Sequence, residues 1–115
     1  MNISNVFKSN IPVAIWTFFI LILSFIKLPP SAGEDLIPHA DKIVHFTLYL
    51  ILGFLLIKKP WKPLHGILYG LLLGGLIEII QGFTNYRSAD IYDFCCDALG
   101  LLAGLYHNKL FNIFK

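Results

Sequence analysis

The sequence predicts an all-α fold: a four-helix transmembrane bundle with both termini cytoplasmic. Three observations lead there. Of 115 residues, 57% are hydrophobic and 14% charged, with a mean hydropathy of +0.71, which is too little charge to cover a soluble domain of this length. The apolar residues gather into four runs, and at ~20 residues per helical crossing the chain has room for four with short connections. Lys and Arg are divided unevenly between those connections, as they are in membrane proteins.

The first run, residues 11–28, is entered through Pro12 and left through Pro29-Pro30, which cannot continue a helix. It is longer than a signal-peptide core and three more spans follow, so it is expected to be retained. The second covers 42–57 and stops at Lys58-Lys59-Pro60. The third covers 64–83. The fourth, 92–108, follows a polar turn with Asn85, Arg87, Ser88 and Asp90. No linker or soluble segment remains, and residues 1–115 read as one membrane domain.

An N-inside arrangement places Lys8, Lys58, Lys59, Lys62, Lys109 and Lys115 on the cytoplasmic side and Lys27, Lys42 and Arg87 outside, the asymmetry that short loops follow. The adjacent Cys95 and Cys96 cannot make a disulfide framework and read as small apolar span residues. A multi-pass membrane protein is expected, with membrane lipids as neighbours and no nucleic-acid partner.

The antiparallel order brings the start of the second span, the end of the third and the start of the fourth to the outer boundary. Asp41, Lys42, His45, Glu78, Gln81, Arg87, Asp90, Asp93 and Asp97 all fall there. Asp41, His45 and Tyr49 share a helix face, as do Asp93 and Asp97. Gly66, Gly70 and Gly74 form a small-residue stripe whose next step is Glu78, and Gly100 and Gly104 extend the sector of Asp93 and Asp97. Such stripes mark close helix contacts, within the chain or in a homodimer, so the acids point into packed helices. A carboxylate facing lipid would cost at least ~2.5 kcal/mol. Asp41, Asp90 and Asp93 also suit plain helix starts, where acids meet free amides and the positive dipole end. His45, Glu78 and Asp97 lie inside their spans, where an ionisable residue points to function.

In these residues the chain resembles the VanZ-like family of small membrane proteins. The matching pieces are Asp41-Lys42-x-x-His45-Phe46-x-x-Tyr49, Glu78-x-x-Gln81, and Arg87-Ser88-x-Asp90-x-x-Asp93 followed by Gly100, in order between Asp41 and Gly104. The family usually has asparagine where this chain has Asp97. The resemblance implies a cell-envelope protein of the bacterial cytoplasmic membrane with a site on the outer face. The family's founding member lowers susceptibility to the lipid-tailed glycopeptide teicoplanin.

Three functions compete. The first is a binding protein whose outer pocket takes a lipid headgroup, an envelope precursor, a glycopeptide-like ligand or a partner protein. With Asp41, Glu78, Asp90, Asp93 and Asp97 against Lys42 and Arg87, that pocket favours a cation, a metal or an amine. The second is an intramembrane hydrolase or transferase, with His45, Glu78 and Asp93 as candidate catalytic residues or ligands of a divalent metal and Arg87 holding a phosphate. No HExxH or GxSxG motif supports it. The third, an ion pathway, has almost no ionisable residues in the inner halves of the spans to complete it. Binding ranks first, and it requires no cofactor.

Overall fold

A computed structural model describes residues 3–25, 40–84 and 91–109, apart from the side chains of Ser4, Phe7, Ala40 and Asp41. Every regular element among them is helical: α1 (Ile3–Lys8), α2 (Ile11–Phe25), α3 (Ala40–Ile57), α4 (Pro63–Gln81) and α5 (Ile91–Leu105). The last four occupy the expected apolar runs. α1 is an addition, because six residues at the start of the chain carry no span-like pattern. It closes at Ser9, whose Oγ donates to the Val6 carbonyl at 2.6 Å and accepts from the Ile11 amide at 3.4 Å. Pro12 then sits in the first turn of α2, where its missing N–H costs nothing.

From α2 to α5 consecutive helices run in opposite directions, so that α2 and α4 share one direction and α3 and α5 the other. α3 tightens at its end, with the Lys58 and Lys59 amides donating to Leu55 and Leu56 carbonyls. Pro60 stops it, and Pro63 starts α4 in its first turn. Asn10 before α2, Lys59 after α3 and Trp61 before α4 therefore meet at one end. There the Lys59 ammonium donates to Asn10 Oδ1 and lies 4.7 Å from the Trp61 ring centroid. His45, Glu78 and Asp97 mark the other end.

α3 and α5 make the closest approach, and glycine is the reason. A Cβ on Gly100 would strike the Phe46 carbonyl oxygen, one on Gly104 that of Leu50, and one on Gly53 that of Leu101. The Gly66-Gly70-Gly74 stripe of α4 works differently, since its glycines receive side chains of α5: Leu105 at Gly66, Leu101 at Gly70 and Asp97 at Gly74. Both uses lie within one chain. α2 is fastened along its length by Trp16 Nε1–H to the Leu48 carbonyl at 2.9 Å, a Thr17–Tyr69 hydroxyl pair at 2.6 Å, and Gln81 Nε2–H to the Ser24 carbonyl at 2.7 Å. Trp16 is thus tied into the bundle.

The outward faces are apolar. Leu64, Leu68, Leu72, Leu76, Ile79 and Ile80 stand exposed on α4, and Ile11, Ile15, Phe18 and Ile22 on α2, while Glu78, Gln81, Asp93 and Asp97 are buried. Among the described residues one helix, Pro63–Gln81, is long and apolar enough to cross a membrane, and Ile11–Phe25 and Lys42–Ile57 are shorter apolar helices. Residues 26–28 of the first expected span lie outside the described residues.

Candidate functional site

Three helices supply the polar end of the bundle. On α3, Lys42, His45 and Tyr49 are spaced three and four apart and so share a face. α5 offers Asp93 in its first turn and Asp97 one turn deeper. Glu78 follows Gly74 by one turn on α4, on the face that the glycines turn toward α5.

These side chains converge. Lys42 Nζ donates to Asp93 Oδ1 at 2.6 Å, and His45 Nδ1 lies 2.8 Å from Asp97 Oδ1, a contact that one proton bridges. His45 Nε2 faces the other Asp93 oxygen at 3.7 Å. One ligand-capable atom each from His45, Glu78 and Asp97 falls within 4.8 Å of the other two. Asp97 is 3% exposed, Glu78 7% and Asp93 9%. Exposed ion pairs contribute ~0–1 kcal/mol, but here a missing partner would strand a charge away from water, which is far more costly.

The structure sorts the expected site residues. Lys42, His45, Glu78, Asp93 and Asp97 come together. The grouping that best matches a metal-ligand set is His45, Glu78 and Asp97, whereas the sequence pointed to Asp93 as the third member. Asp93 lies at the mouth of the site, where Lys42 engages it, and Asp97 reaches deeper because Gly74 has no side chain to hold it away. Gln81 is 2% exposed, with its amide on α2 at Ser24, which gives it a part in joining α2 to α4. The side chain of Asp41, and Arg87 and Asp90 entirely, lie outside the described residues.

Sequence reasoning left Tyr49 out of the site. Its hydroxyl is buried and has no hydrogen-bond partner among the described residues. It lies 3.5 Å from the point where a Cβ on Gly74 would be, and Asp97 Oδ2 lies 3.2 Å from that same point. The signal was available in the four-residue step from His45 to Tyr49. Two open apolar clefts occur at the opposite end of the bundle, one of about 340 Å³ beside Trp61, His65, Leu68 and Tyr69 and one of about 310 Å³ beside Leu50, Phe54 and His107.

Comparison with known proteins places this arrangement in context. The family model described as VanZ/LLP1 matches residues 2–112. An uncharacterized protein of Schizosaccharomyces pombe is 27% identical over 108 residues, covering 84% of this chain. The chain spans 65% of that relative's length. No solved structure matches.

Proposed function

The chain belongs to the VanZ/LLP1 family, and from that premise we propose that it is a multi-pass protein of the bacterial cytoplasmic membrane whose outer polar site binds a cationic or amine-bearing envelope ligand. A lipid headgroup, an envelope precursor and a glycopeptide-like molecule are the candidate classes. α2 to α5 are the four spans, with both termini cytoplasmic. The observation that carries the reading is the inverted distribution of polarity: Glu78, Asp93 and Asp97 are buried between helices whose outward faces are Leu, Ile and Phe. Polar groups facing inward and apolar groups facing outward suit a hydrocarbon surround and not water.

The ligand class follows from charge. Among the described residues, Glu78, Asp93 and Asp97 face Lys42 and His45, so the site holds more carboxylates than permanent cations. A positively charged group is drawn to such a site, and the low dielectric around it strengthens the attraction. Lys42 at the mouth, joined to Asp93, is the ion pair that an incoming amine would exchange with.

Orientation is checked with single cysteines at Asn2, Ser31 and Asn85 in a Cys95→Ser/Cys96→Ser background. A membrane-impermeant maleimide added to intact cells is expected to label Ser31→Cys and Asn85→Cys but not Asn2→Cys, and the reverse pattern would overturn the topology. Function is checked with Glu78→Gln and Asp93→Asn, which keep side-chain size while removing charge. Both are expected to abolish any envelope-stress or glycopeptide-susceptibility phenotype of the parent at unchanged membrane abundance. Retention of the phenotype in both would remove the polar cluster as the binding site.

A further inference from the structure

We propose that His45, Glu78 and Asp97 bind one divalent transition-metal ion, Zn²⁺ or Mn²⁺, between α3, α4 and α5. This rests on the reading of the cluster as a cation-binding site and makes the cation in its deepest part a metal ion, which leaves Asp93 and Lys42 at the mouth for the envelope ligand. The three donors come from three helices and lie within 4.8 Å of one another. Around an ion with bonds of ~2.0–2.2 Å, neighbouring ligand atoms sit ~3.4 Å apart, so closure asks for a shift within reach of a glutamate rotamer. One neutral imidazole and two carboxylates give a doubly negative set that a divalent ion neutralises. The mixed nitrogen and oxygen donors select Zn²⁺ or Mn²⁺ over Mg²⁺ and Ca²⁺, which take oxygen ligands.

A second observation points to the same place. The Tyr49 hydroxyl is 2% exposed by residue and has no hydrogen-bond partner among the described residues. It stands next to Asp97, since a Cβ on Gly74 would lie 3.5 Å from the hydroxyl and 3.2 Å from Asp97 Oδ2. A buried hydroxyl without a partner is costly, and a water bound to the ion would satisfy it. The neighbours of the histidine fit as well. With Nδ1 on the metal, the proton now shared with Asp97 is released, and Nε2–H faces Asp93, itself held by Lys42 at 2.6 Å. A carboxylate behind a ligating histidine is the usual way such a ring is oriented.

Asp97 makes the proposal specific to this chain, because the resemblance noted above puts asparagine at that position in the family at large. Asparagine is the natural test substitution, since it keeps the shape and removes the charge.

The experiment uses the full chain in detergent, without a histidine tag and with Cys95→Ser/Cys96→Ser, stripped with chelator and equilibrated with Zn²⁺ or Mn²⁺. Metal content and affinity are read by plasma mass spectrometry and equilibrium dialysis. The parent is expected to hold one ion per chain, with Mg²⁺ failing to displace it. Glu78→Gln and Asp97→Asn are expected to lose it, and Asp93→Asn to keep the stoichiometry with affinity reduced roughly 10- to 100-fold. A parent that binds no ion, or variants that bind as the parent does, would overturn the metal site. If Glu78→Gln and Asp93→Asn still abolish the phenotype in that case, the ligand-binding reading stands without it. Metal binding as expected, in variants whose phenotype is intact, upholds the metal site and removes the ligand-binding reading instead.

Discussion

Replacing Gly104 by leucine is expected to leave little folded protein. The position gives no room to adapt: a Cβ alone would run into the Leu50 carbonyl oxygen and lie 2.7 Å from the Phe54 nitrogen. Both obstacles are backbone, so relief requires α5 to move off α3. That movement would loosen Gly100 and Gly53, which hold the same contact, and would withdraw Asp97 from His45. Overpacking that side-chain repacking can absorb costs ~1–3 kcal/mol, and this case exceeds that range because no rotamer change answers it. Gly100→Leu is expected to behave alike. Gly75→Ala is the control, since a Cβ there meets only Phe94 Cε1 at an ordinary 3.6 Å, and alanine favours the helix by up to ~1 kcal/mol. Melting in detergent separates the cases. A Gly104→Leu protein that melts with the parent would mean that α3 and α5 do not pack through glycine. The joining of His45 to Asp97 would then lose its basis.

The same contact shows what the sequence could and could not reveal. Period and breakers were enough to place four helices, because Pro12, Pro60 and Pro63 interrupt apolar runs where the chain must turn. The inward direction of Glu78 and Asp97 was legible from glycines sharing their faces. Which glycine met what was not. Gly53 stands alone in an apolar run, yet it completes the α3 and α5 contact, because close approach depends on the relative rotation of two helices and one sequence does not encode that rotation locally. Gln81 and Glu78 looked equivalent, one turn apart on the same span. A few tens of degrees of helix rotation turn one toward Ser24 of α2 and the other toward α5. Likewise Asp93 and Asp97 share a face, and only their depth relative to Gly74 decides which joins His45 and Glu78.

The His45–Asp97 pair is expected to hold the bundle as well as line its site, and the two contributions separate by substitution. His45→Ala should lower stability by about 3–5 kcal/mol, the range found when one member of a buried ion pair is removed. The reason is that Asp97 has a 4% exposed side chain and would keep a carboxylate between α3 and α5 without the imidazole 2.8 Å away. Asp97→Asn differs because the amide still bonds to the ring, so its cost should stay near ~1 kcal/mol, that of weakening one hydrogen bond. The double variant His45→Leu/Asp97→Leu removes both polar groups and fills the space, and should recover much of what His45→Ala loses. Denaturation of these variants, the two single leucine variants and the parent in one detergent gives the comparison. The decisive quantity is the non-additivity: if the losses from His45→Leu and Asp97→Leu taken singly simply sum in the double variant, the two side chains do not depend on each other. Strong coupling with a well-folded Asp97→Asn protein has a further consequence. That single substitution then removes a carboxylate from the proposed metal site while the helices stay in place, so any loss of metal or phenotype in it belongs to the chemistry of the site and not to collapse of the fold.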